Sequence, residues 1–146
     1  KYQFIDMPSG KVLCAGLVEQ IGEGIGTITH RKLIEGENSD VIYNEQIPTH
    51  EIGMKRVASL LTDTNYGVIM NTSDVKLVGH RVVLGGEKFS TTSIITSEVK
   101  NAIEKLSVIA PLHNPPNLTG IHVAEQIFSE ENFKQNFLNI LLFDIS

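Results

Sequence analysis

Tryptophan is missing from this 146-residue chain, and aromatic residues make up only 6% of it, so any core must be mostly aliphatic. Cysteine is nearly absent too. Cys14 stands alone, which excludes an internal disulfide and fits a reducing compartment such as the cytoplasm. No apolar run reaches the roughly 20 residues that a membrane-spanning helix needs, and no signal peptide is visible, so no membrane partner is expected. An excess of positive charge is also lacking. Twelve Lys and Arg against seventeen Asp and Glu leave a net charge of −5, which argues against nucleic acid as a partner, because phosphate contacts need a basic face. An anionic ligand must then be held by local cations and not by the overall field. The chain opens inside a strand-like pattern, Lys1-Tyr2-Gln3-Phe4-Ile5, without an initiator methionine. It stops directly after an apolar run, at Phe143-Asp144-Ile145-Ser146, and is expected to be a fragment.

What is present suits one domain, or one lobe of a larger protein, long enough to bury a core. The first third predicts a β-meander: residues 2–5, a Met7-Pro8-Ser9-Gly10 turn, then 11–18, 25–32 and 41–46. Thr49 is a good helix N-cap with Glu51 in the first turn, and Met54, Val57, Ala58 and Leu61 fall on one helical face. Residues 75–78 read as a short buried strand ending at Gly79. A second helix starts at Thr96 or Ser97, with Val99, Ala102, Ile103 and Leu106 as its apolar stripe. A third is expected to start at Asn114 as cap, with Pro115 at the first helical position, where its missing N–H is harmless. Residues 140–143 are all apolar and read as a buried parallel strand ending at Asp144. The order ββββ-α-β-α-α-β predicts an α/β domain with a mixed sheet.

Two segments carry candidate chemistry. In Gly79-His80-Arg81-Val82-Val83-Leu84-Gly85-Gly86-Glu87-Lys88-Phe89, Arg81 follows a strand and precedes a glycine pair. Its guanidinium fork matches carboxylate or phosphate oxygens, and glycines let backbone approach a ligand or take positive φ. A surface arginine in a strand-to-loop turn fits the same spacing. In Ala110-Pro111-Leu112-His113-Asn114-Pro115-Pro116-Asn117, His113 sits where the first unpaired N–H groups of a helix would attract an anion and keep an imidazole neutral. A loop histidine completing the cap is the competing reading. Val83 and Leu112 beside these polar groups suit either a ligand with a small hydrocarbon end or an ordinary core. Asp144, at the carboxyl end of a strand, is a candidate for metal binding or reaction as much as for a cap. His30, His50 and His122 share no ligand spacing, so no zinc site is assigned. Gly22, Gly24 and Gly26 do not form a nucleotide loop.

Read together, these two segments closely resemble the paired motifs of acetate kinases. Lys1-Tyr2-Gln3-Phe4-Ile5-Asp6 and Asp63-Thr64-Asn65-Tyr66-Gly67-Val68-Ile69 fit the same family, and the likeness runs from residue 1 to about 128. The resemblance implies the ribonuclease-H-like, actin-like ATPase fold, in which two such domains hold ATP between them. Residues 1–146 would be most of the N-terminal domain, incomplete. Its first strand, its serine-rich phosphate-binding turn and the C-terminal nucleotide-binding domain would lie outside the chain. The implied activity is reversible Mg2+-dependent phosphoryl transfer from ATP to acetate, giving acetyl phosphate and ADP, in a cytoplasmic homodimer; the piece alone is expected to be inactive.

Carried over by motif, Arg81 would clamp the acetate carboxylate or the transferring phosphoryl group, and His113 would stabilise the transition state. Val83 and Leu112 would line a methyl pocket, Lys1 would follow the phosphate-binding turn, and Asp144 would assist acetate or the metal. The chain departs from the family at Leu84, where a histidine is usual, and in a divergent tail over 129–146 that regains only Phe143-Asp144. A propionate or butyrate kinase of the same family, and a non-catalytic acyl-phosphate- or carboxylate-binding module, are the alternatives.

Overall fold

A computed structural model describes residues 1–86, 89, 92–128 and 139–144, with backbone only for 139–142. In chain order it contains β1 (Tyr2–Asp6), β2 (Lys11–Glu19), β3 (Gly26–Lys32), β4 (Ser39–Glu45), α1 (His50–Leu61), a 3-10 turn (Thr72–Asp74), β5 (Leu77–Arg81), α2 (Ser97–Leu106), α3 (Asn114–Ile127) and β6 (Asn139–Asp144). The strands form one mixed sheet in the order β4-β3-β2-β1-β6-β5. The expected meander forms β1 to β4, all antiparallel.

The end of the chain differs from expectation. β6 lies between β1 and β5, antiparallel to the first and parallel to the second, so it is a central strand and not simply a parallel one. β5 spans Leu77–Arg81 instead of 75–78, and Gly79 sits in mid-strand, paired with Leu142. The reason is local. Val75 closes the preceding 3-10 turn, its N–H donating to Thr72 O at 3.1 Å, and the turn is held by the Asp74 carboxylate, which accepts from the Met70 and Asn71 N–H groups at 3.1 and 3.0 Å. The polar stretch 129–138 and Ile145-Ser146, read above as divergent, lie outside the described residues.

Alternation along the strands decides which face is covered. Tyr2 and Phe4 are buried while Gln3 between them is exposed. Tyr2, Phe4, Cys14 and Phe143 pack on Met54, Val57, Ala58 and Leu61 of α1 and on Val123 and Ala124 of α3. Each fully buried large side chain here contributes about 1.5–3 kcal/mol. α2 joins α3 through Val99, Ile103 and Ile121. Thr49 and Thr96 cap α1 and α2 as expected, accepting from Ile52 N–H at 3.2 Å and Val99 N–H at 3.4 Å.

One buried polar pair fixes the meander. Tyr2, Gly16 and His30 lie side by side on β1, β2 and β3. Gly16 presents no side chain, so the Tyr2 ring crosses β2 and its hydroxyl reaches His30 Nδ1 at 2.6 Å. His30 Nε2 lies 3.0 Å from the Tyr66 carbonyl. A carbonyl only accepts, so Nε2 carries the proton and Nδ1 accepts from tyrosine. Burial lowers the proton affinity of His30 and keeps the Tyr2 hydroxyl protonated.

A Cβ at Gly16 would overlap the Tyr2 ring, whereas one at Gly24 would meet open space. Gly16→Ala is therefore expected to destabilise the chain by about 1–3 kcal/mol, with Gly24→Ala within about 0.5 kcal/mol of the parent. Urea unfolding of the two variants checks this.

Candidate functional site

Residues that alternate with the core ones, among them Gln3, Ala15, Thr29 and Arg31, face away from α1 and α3 and line an open cleft of about 760 Å³. Lys1, Arg81 and Asp144 meet at one end of it. The parallel register sets Arg81 opposite Asp144 as the last residues of β5 and β6. Arg81 Nη1 donates to Asp144 Oδ2 at 3.2 Å. The backbones of Lys1 and Asp144 exchange two hydrogen bonds, 2.9 Å from Lys1 N to Asp144 O and 3.0 Å in return.

The Arg81 side chain is 68% exposed, and an exposed ion pair contributes only about 0–1 kcal/mol. Stability therefore does not account for its position. Arg81 lines a cleft in which Asp144 is the carboxylate among the described lining residues, and Arg31, at the other side of the cleft, is engaged by Asp40 through its Nε at 3.0 Å. In a chain of net charge −5, this end of the cleft, with Arg81 and Lys1, is the candidate place for an anion held by local cations.

The remaining candidates stand outside that lining. Val83, Leu112 and His113 are exposed, Leu112 by 82%. His113 is the N-cap residue of α3 by position, replacing Asn114 in that role, yet its imidazole makes no capping bond. The expectation that unpaired N–H groups at this helix end would bind an anion is also overturned. Pro115 and Pro116 have no N–H, Asn114 N–H donates to Ala110 O, and Asn117 N–H donates to His113 O, each at 3.0 Å. Gly86 takes φ +74°, while Gly85 is needed for the close approach of Phe89 backbone rather than of a ligand. Glu87 and Lys88 lie outside the described residues.

Sequence reasoning missed the residues that join the two motifs. Asn117 Oδ1 accepts from Val83 N–H at 3.1 Å. Asn114 Nδ2 donates to Leu84 O at 3.0 Å and to Ile103 O at 3.1 Å. Both asparagines are buried. Their spacing of three on a helix puts them on one face, and that was the available signal. Behind Arg81, His80 stacks on Phe143 with centroids 5.8 Å apart. Burial pushes its imidazole down to about 4, against the opposing pull of Glu125 on α3. Among the described residues no three His, Cys, Asp or Glu side chains converge on a metal site.

A meander and a parallel strand pair in one sheet, with Arg81 facing Asp144 at the strand ends, define a domain of the actin-like ATPase fold. The solved acetate kinase of Porphyromonas gingivalis superposes on 99% of the chain and 34% of its own length, with TM-score 0.81 and 33% identity. A propionate kinase of Francisella tularensis, at 22% identity and TM-score 0.71 over 97% of the chain and 34% of its own, shares the fold. The acetokinase family profile matches residues 1–146, and the chain belongs to that family. Acetate kinases of Flavobacterium johnsoniae and Nitratidesulfovibrio vulgaris are each 46% identical over 129 residues, 88% of this chain and 32% of theirs. The chain thus spans about a third of the length of the curated relatives it matches.

Asn117→Ala is expected to lower stability by about 1–2 kcal/mol and to speed amide exchange at Val83, as read by hydrogen-exchange NMR. A second expectation concerns pH. His30, His50 and His80 all hold protons less tightly than an unfolded histidine. The unfolded chain then takes up protons first as pH falls. Stability from these groups is fully present above about pH 6.5 and is lost as pH falls through 6.5 toward 4. Unfolding midpoints across that window should decline, and less steeply for His80→Phe.

Proposed function

We propose that this chain is the acyl-phosphate half of an acetate kinase that transfers the γ-phosphoryl group of ATP to acetate. The observation that carries the reading is the facing pair Arg81 and Asp144 beside Lys1, in a chain 46% identical to acetate kinases. An acetate oxygen attacks the γ-phosphorus, the new O–P bond forms as the bond to ADP breaks, and the leaving ADP oxygen takes the electron pair. A carboxylate nucleophile has no proton to lose, so no strong general base is needed. The protein's task is to position the reactants and stabilise charge.

In this reading the Arg81 fork holds the carboxylate and the transferring phosphoryl oxygens. His113 donates a hydrogen bond to the developing charge, and Lys1 faces the phosphates. Val83 and Leu112 line the methyl pocket; their exposure fits a pocket closed by parts of the parent outside these 146 residues, where ATP would also bind. Mg2+ is usually held by one or two carboxylates together with phosphate oxygens, and Asp144 suits that role as the carboxylate lining the cleft. Bound there, the metal supplies neutralisation of phosphate charge. The parent would act as a cytoplasmic homodimer; no described helix is long and apolar enough to cross a membrane. One added methylene changes discrimination by only about 1–3 kcal/mol, so propionate is the nearest competing substrate.

Arg81→Ala in the full-length parent is expected to cut kcat/KM for acetyl phosphate formation by about 10²–10³. A variant as active as the parent would sink the role given to Arg81.

A further inference from the structure

We propose that His80 is a positioning residue for the Arg81–Asp144 clamp, its ring setting the spacing of β5 and β6 one residue before the clamp. The inference rests on the reading of Arg81 and Asp144 as the anion site. Successive strand residues point to opposite faces. His80 and Phe143 therefore meet on the helix-covered side, and Arg81 and Asp144 meet on the cleft side at the next step of the same register. The His80 and Phe143 rings are 24° from parallel at 5.8 Å, within the separation at which ring pairs attract.

Phe143 is only 6% exposed and is held from its other side as well. The Tyr2 ring lies 6.5 Å away, and Tyr2 is itself tied to His30 and through it to the Tyr66 carbonyl. A row of rings from four strands, His30–Tyr2–Phe143–His80, thus spans five, crossing β2 at Gly16, and ends directly behind the clamp. The ion pair on the cleft side is exposed and weak, so it cannot hold its own geometry. The row of rings can. Desolvation favours the neutral His80 ring, with Glu125 of α3 the facing charged group, so the ring adds no charge of its own behind Arg81.

The test is NMR relaxation of the Arg81 Nε–H in the full-length parent, ligand-free, for the unsubstituted protein, His80→Phe and His80→Ala. The Arg81 order parameter should be high in the parent, retained in His80→Phe and clearly reduced in His80→Ala. Arg31, paired with Asp40 away from the ring row, should stay constant in all three. An unchanged Arg81 in His80→Ala would overturn the proposal, whatever that variant does to melting temperature. So would an Arg81 already mobile in the parent. Acetyl phosphate formation is a separate readout, so failure of the kinase reading would leave this result standing.

Discussion

β6 runs antiparallel to β1 and parallel to β5, and among the described strands it alone bridges the meander to β5. That double pairing is what the rest of the molecule depends on. It satisfies both backbone edges of an apolar strand and brings Phe143 into the core under α1 and α3. The same pairing puts Asp144 opposite Arg81 and against Lys1, three residues that are remote in sequence. The pairing of Arg81 with Asp144 is therefore a product of sheet register, and a one-residue slip would carry Arg81 away from Asp144 and send its partner to the wrong face.

The rest of the site is tied to this frame by buried amides. Asn114 and Asn117 give α3 a grip on the loop after β5, so the two sequence motifs are one physical unit. They also change the electrostatic picture. With two prolines and two bonded N–H groups at its start, α3 offers no free donors to an anion. Positive charge at the proposed anion site would come from side chains, chiefly Arg81, which makes Arg81 the substitution that tests the proposal.

Much of the fold was legible because its determinants are local. Thr49 and Thr96 announce their helices, the spacing of Met54, Val57, Ala58 and Leu61 gives the buried face of α1, and turn residues mark the meander. What escaped depends on partners distant in the chain. The direction and neighbours of Asn139–Asp144 follow from which strand edges are open, which no local pattern states. Asn114 reads as a cap by type, but its amide is drawn inward by two carbonyls, Leu84 and Ile103. His30 offered no ligand spacing and was set aside; its partner Tyr2 is 28 residues away, and the contact exists only because Gly16 lies between them. Arg81 and His113 were both legible as chemical candidates, while their separation onto the cleft and outside it was not.

The central claim is that Arg81 and Asp144 act as one site. The measurement that tests it most directly is a double-substitution cycle on kcat/KM for acetyl phosphate formation in the full-length parent, with Arg81→Ala, Asp144→Ala and both. The double variant is expected to lose much less than the product of the single losses, a coupling of about 0.5–3 kcal/mol. Losses that simply multiply would contradict it.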